Sequence, residues 1–162
     1  MTQSAYYRKI RSQSIVEMLV GVMVLIPVIL FLVDIGVLVL ANIINGDLAK
    51  NVARAAANAT DGTSAQKAAD NVVARAAKSG VISQAQLSYL YWRSTSPTGD
   101  TKTGTAPDGI TEPLPGQVQA VTMITVKPPV PFPFLPAQHQ FMAHATQPIV
   151  GIRPNLPGSQ GP

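Results

Sequence analysis

RKIRSQSIVEMLVGVMVLIPVILFLVDIGVLVLANII, Arg8 to Ile44, is the stretch on which the fold turns. It opens with three bases, Arg8, Lys9 and Arg11, and carries one carboxylate, Glu17, at the threshold of its apolar run. The 27 residues from Met18 to Ile44 then carry a single charge, Asp34. As a helix they reach about 40 Å at about 1.5 Å per residue. A bilayer's hydrocarbon core is roughly 30 Å thick. The run therefore spans and projects beyond. It is too long for an ordinary signal h-region and has no A-x-A-like cleavage site at its far end. Bases on its N-terminal side set the N-terminus in the cytoplasm and the rest of the chain outside the inner membrane.

Residues within the run carry further expectations. Pro27 cannot donate to the Met23 carbonyl, which predicts a kink or local unwinding. Asp34 lies 16 residues beyond Met18, about 24 Å along the helix, near the outer side. It reads either as a tolerated near-interface carboxylate or as one that pairs with a neighbouring subunit or lipid group. Glu17 occupies a threshold where a membrane anchor more often has Lys or Arg.

Outward from this run, Met1 to Ser12 is polar and basic and reads as a leader. Without it the formal charge falls from +4 to +1. The basic excess is thus a targeting feature, and nucleic acid is not an expected partner. Charged residues make up 12% of the 162, and there are no cysteines. Disulfides, thiolate zinc sites and catalytic thiols are thereby excluded. Roughly 100 residues remain for a globular part.

Beyond Ile44 the helix is expected to continue as a stem. Asp47 to Ala59 has strong helix propensity, and Ala49, Ala53 and Ala57 form a smooth seam that admits another helix. Asp61-Gly62 breaks it. Thr63 to Lys78 is a second, amphipathic helix with a Thr63/Gln66 capping box and a stop at Gly80. Val81 to Arg93 reads as a strand or two short ones, with Leu87, Tyr89 and Tyr91 on one face and Leu90 and Trp92 on the other. Ser94 to Gly116 reads as a loop, and Gln117 to Val126 as the best strand. Lys127 to Pro136 is an extended crossover, because proline lacks a donor. Gln138 to Thr146 is a strand that pairs back on 117–126. The expected class is α+β: a long transmembrane and stem helix, a second helix, and a small antiparallel sheet in the extracytoplasmic domain. The divisions are 1–12 leader, 13–60 transmembrane helix and stem, 61–150 small domain, and 151–162 Pro/Gly-rich tail.

Motifs for catalysis are not found. The chain has no GxSxG, GxxxxGK[ST] or HExxH. His139 and His144 fall on opposite faces of a strand and read as structural or solvent-facing. Glu112 and Asp108 read as solvated loop carboxylates. Asn58-Ala59-Thr60 matches a glycosylation sequon by chance. No metal, cofactor or catalytic residue is expected.

Ser12-Gln13-Ser14-Ile15-Val16-Glu17, with bases before it and an apolar helix after it, resembles a class III type IV prepilin signal. More specifically, QSIVEMLVGVMVLIPVILFLVDIG and the Ala-rich stem are similar to the pilin-like TadE/TadF proteins of tight-adherence (Flp) pilus systems. The chain has Ser12 where that family usually has Gly, and Ile35 where an aromatic is common. The resemblance implies cleavage by a prepilin peptidase between Ser12 and Gln13, making Glu17 the fifth residue of the mature chain. It implies assembly roles for Glu17 and Asp34. Its implied partners are the lipid bilayer, other pilin-like subunits and an inner-membrane assembly platform. Glu17 would neutralise the new α-amino group of a neighbouring subunit, a pairing strengthened in low dielectric. The implied function is a minor pilin or pseudopilin. The alternatives are an uncleaved, signal-anchored envelope protein with a binding role and, third, an envelope enzyme.

Overall fold

A computed structural model of the chain describes residues 3–76, 82–95, 99–127 and 138–150, with side chains from residue 15 onward. The elements are α1 (Gln3–Ala57), α2 (Gly62–Ala76), β1 (Gln84–Arg93), β2 (Thr101–Gly104), β3 (Gln117–Val126) and β4 (His139–Pro148). The class is α+β, as the residue pattern predicts: one long apolar helix, a second helix and a four-stranded antiparallel sheet.

α1 is a single helix of 55 residues, about 82 Å long at the usual rise. It continues unbroken through Pro27, so no unwinding occurs there. From Ile15 to Val33 its side chains are exposed on every side. This is the composition of a helix whose surroundings are as apolar as itself. One segment of α1 is long and apolar enough to cross a membrane, and very little of it is buried within the protein. Beyond Asp34 the pattern changes to a stripe. Ala41, Asn45, Leu48, Val52 and Ala56 face the protein and are buried.

The stem seam forms as its spacing predicts, since Ala49, Ala53 and Ala57 are all buried. α2 packs on α1 through Ala65, Ala69 and Val73. Alanine removes little apolar area from water, so close approach supplies the contact. The cap differs from the expected capping box. Asp61, not Thr63, caps α2: its carboxylate accepts from the Ser64 N–H at 2.8 Å and from the Ser64 hydroxyl at 2.8 Å. These bonds, that from the N–H foremost, hold its carboxyl below the usual value of 3.8. α1 itself stops at Ala57, two residues before the expected end of the stem at Ala59 and four before Asp61. Lys78 and Gly80 lie outside the described residues, as do the expected crossover Lys127 to Pro136, apart from Lys127, and the expected tail 151–162.

The sheet order is β2-β1-β3-β4. β3 has the bounds expected and pairs with β4 as expected, from Gln117↔Pro148 to Val126↔His139. Two features differ. Thr101–Gly104, expected as loop, is a short edge strand on β1, with Tyr89↔Gly104 to Trp92↔Thr101. Gly104 needs its positive φ of 80°, and a Cβ there would meet the Ser88 carbonyl at 2.2 Å. In addition, β1 has a bulge between Leu87 and Tyr89. The extra residue breaks the period-2 alternation, so Leu87 joins Leu90 and Trp92 on the helix side.

The core lies between α1, α2 and the helix-side face of the sheet, filled by Val52, Leu90, Trp92, Val118, Ile124 and Val126. A small second cluster, Tyr89, Tyr91 and Val121 with Ile110, covers the opposite face.

Candidate functional site

The candidate site residues are strung along α1. Ser12 and Gln13 lie within the continuous helix backbone. Glu17 is exposed one turn beyond. It stands about 26 Å from Asp34 along the axis at the usual rise. The structure does not bring the two together. Glu17 lies where apolar side chains have no protein cover: Ile15 is 68% exposed, Met18 73% and Met23 74%.

Asp34 is placed differently from an interfacial carboxylate. It is 1% exposed, and neither carboxylate oxygen has a hydrogen-bond partner among the described residues. An orphaned buried carboxylate is costly. Asp34 opens the buried face that continues through Ala41, Asn45, Leu48 and Val52.

Asn45, which directly follows the apolar run and carries no expectation from the sequence, is the polar centre of this face. It is fully buried. Its Nδ2 donates to the Phe141 carbonyl at 2.8 Å, and its Oδ1 accepts from Thr122 Oγ1 at 2.8 Å. One side chain thus clasps the helix to β3 and β4. The available signal was its spacing: Asn45 falls four residues after Ala41 and three before Leu48, on the packed stripe.

The other sheet face is polar and aromatic. Tyr89 and Tyr91 meet edge-on with ring centroids 6.5 Å apart. Lys102 Nζ lies 4.2 Å from the Tyr91 ring centroid and pairs with Glu112 at 2.6 Å. Glu112 is therefore an ion-pair partner, not a merely solvated acid. Its bond raises the Lys102 pKa, and Glu112 is lowered in turn. Burial, then the Asp100 carboxylate that accepts from Tyr91 Oη at 3.1 Å, push the Tyr91 hydroxyl up. Beside this cluster is a cavity of about 320 Å³ lined by Gln119, Glu112, His144 and Thr146 among others. The Gln119 amide donates to the Thr111 carbonyl at 3.1 Å, while its Oε1 is buried without a partner among the described residues.

His139 and His144 do lie on opposite faces. His139 lines a groove with Leu38, Val39, Asn42, Ile43 and Phe141, while His144 lines the cavity by Gln119. Among the described residues no three His, Asp or Glu gather as a metal-binding group. Comparison with known proteins finds no matching family model, no similar curated protein and no similar solved structure.

Proposed function

We propose that this chain is a membrane-anchored, pilin-like subunit needed to assemble a tight-adherence (Flp) pilus. In this reading a prepilin peptidase cuts between Ser12 and Gln13. α1 then holds the subunit in the inner membrane with its folded domain outside. The observation that carries the reading is the division of α1. Its first half is apolar all round and uncovered, and its second half is a stem bound to a small α+β domain. Such a helix serves first as an anchor in lipid. When subunits gather, its bare half is free to pack with other helices.

Glu17 supports the same role. A carboxylate at the start of an apolar helix is costly unless it finds a cation. The α-amino group created at Gln13 of a neighbouring subunit supplies one. The bilayer, the peptidase, other pilin-like subunits and an inner-membrane platform are the partners proposed.

The test is the intact mass of the protein recovered from membranes of cells with an active prepilin peptidase. Loss of residues 1–12 is expected. A full-length chain overturns the reading in favour of a plain signal-anchored envelope protein. Separately, Glu17→Ala is expected to leave the protein in the membrane fraction but to abolish surface pili by electron microscopy. Normal piliation by that variant would falsify the neutralising role.

A further inference from the structure

The two edges of the sheet are unlike. β2 has four residues, carries Lys102 in an ion pair, and meets α2 where Gly62 approaches Thr101. Short, charged, partly covered edges are how sheets avoid stray pairing. β4 has ten residues, HQFMAHATQP, with no Lys, Arg, Asp or Glu.

The hydrogen bonds around β4 fix which of its backbone groups face outward. The Ile149 N–H donates to the Gly116 carbonyl at 2.8 Å, so it points toward β3. Across a trans peptide the Pro148 carbonyl points the opposite way. The β3–β4 register has no shift, so the alternation runs back along the strand. Phe141, Ala143, Ala145 and Gln147 address β3. Gln140, Met142, His144 and Thr146 turn their N–H and C=O groups to the open side. Two bonds agree with this. Thr125 accepts from Ser83 on the β1 side, which turns its neighbour Ile124, paired with Phe141, toward β4. Val150, next in the outward series, donates to the Ala57 carbonyl of α1 at 3.1 Å. The four outward residues between have no backbone partner on that side among the described residues.

A second feature adjoins this ladder. A groove of about 480 Å³ lies between α1 and the start of β4, lined by Leu38, Val39, Asn42, Ile43, His139 and Phe141. It is mainly apolar and carries no formal charge.

We propose that the open edge of β4 receives an extended, uncharged segment of a different polypeptide. The segment adds antiparallel to β4 and seats an apolar side chain in the groove. Main-chain bonds supply affinity in such additions, and alternate side chains supply selectivity. The absence of charge on both ladder and groove disfavours an acidic or basic segment, whose charges would be desolvated without partners. A second copy of this chain is the poorer fit. β4 starts beside Leu38 to Asn45 and ends beside Ala57, so it runs in the same sense as α1. Copies held alike in one bilayer present β4 edges that run the same way, and parallel pairs are weaker than antiparallel ones. The inference uses α1 as an anchor but not the pilus reading.

The experiment is backbone-amide hydrogen exchange by NMR on the full chain in detergent micelles. The probe is a capped heptapeptide of alternating threonine and valine. In the free protein the amides of Met142, His144 and Thr146 exchange fast, while Ala143 and Ala145 are slow. Saturating peptide slows the fast set by about tenfold or more. The same peptide N-methylated on alternate amides has no effect. His144→Pro keeps Ala143 and Ala145 slow, since it removes only an outward donor, and abolishes the peptide's effect. The inference is overturned by equal protection from the methylated peptide, by no protection, or by slow outward amides in the free protein. Protection that rises with protein concentration alone assigns the edge to a second copy and overturns the choice of occupant. Loss of the sheet in His144→Pro shows that the donor faces inward and overturns the alternation itself.

Discussion

The two halves of α1 share one backbone and differ in what surrounds them. Between Ile15 and Val33 every side chain is exposed and nearly all are apolar. Between Asp34 and Ala57 only one stripe is buried, and the rest of the surface includes Asp47, Lys50 and Arg54. The first half has no preferred face because no part of the folded domain lies against it. The second has a face because that domain packs along one side of it, while Ile35, Val39, Leu40 and Ile43 stay exposed with Asp47, Lys50 and Arg54 on the other. Helicity therefore says nothing about medium, whereas the distribution of polar residues around the axis does.

The comparison breaks most sharply with one charge placed in each half. Ile26→Lys sets a cation in mid-span, costing about 2.5–3.5 kcal/mol on insertion scales. It is expected to reduce the membrane-bound fraction on cell fractionation while the outer domain stays resistant to protease. Val52→Asp buries an unpaired carboxylate in the core, a penalty of several kcal/mol against a total stability of about 5–15 kcal/mol. It is expected to leave the protein in the membrane with its outer domain digested. Equal outcomes for the two variants would mean the halves are not distinct.

Asn45→Ala sharpens the same boundary. It removes the clasp and leaves the Thr122 hydroxyl in an apolar setting, at a cost of about 1–3 kcal/mol. Thermal unfolding followed by circular dichroism should show a lowered midpoint with insertion unchanged.

The smallest effect belongs to the Asp61 cap. Its folded-state pKa is lowered, so its contribution is present above the ordinary carboxylate pKa of 3.8 and is lost as pH falls through the lowered value. Asp61→Ala should reduce stability at neutral pH and flatten this acid-side decline in a series of melts at different pH. An unchanged decline would show that another carboxylate governs it.

Features set by local pattern were readable from the residues alone. The alanine stem, α2 and Gln117–Val126 each follow from periodicity within one segment, and the apolar run follows from its length and lack of charge. Features set by a distant partner were not. Thr101–Gly104 is too short to show a period and is a strand only because β1 lies beside it. Leu87 changes face through a bulge that no side chain announces. β4 continues to Pro148, two residues past the expected end. The missing N–H of Pro148 falls on the open edge, so no ladder bond is lost. Of the candidate site, Glu17 and Asp34 stood out as charges in an apolar run. Asn45 did not, since its role depends on Phe141 and Thr122, 96 and 77 residues away.

Helix and sheet are joined at two levels, by Asn45 to Phe141 near the start of β4 and by Ala57 to Val150 just past its end. Two fastenings on one rod, about 18 Å apart at the usual rise, resist twisting where one would act as a swivel. Any turn of α1 about its own axis must therefore carry β4 around with it. The azimuth of the apolar half becomes the compass bearing of the β4 edge.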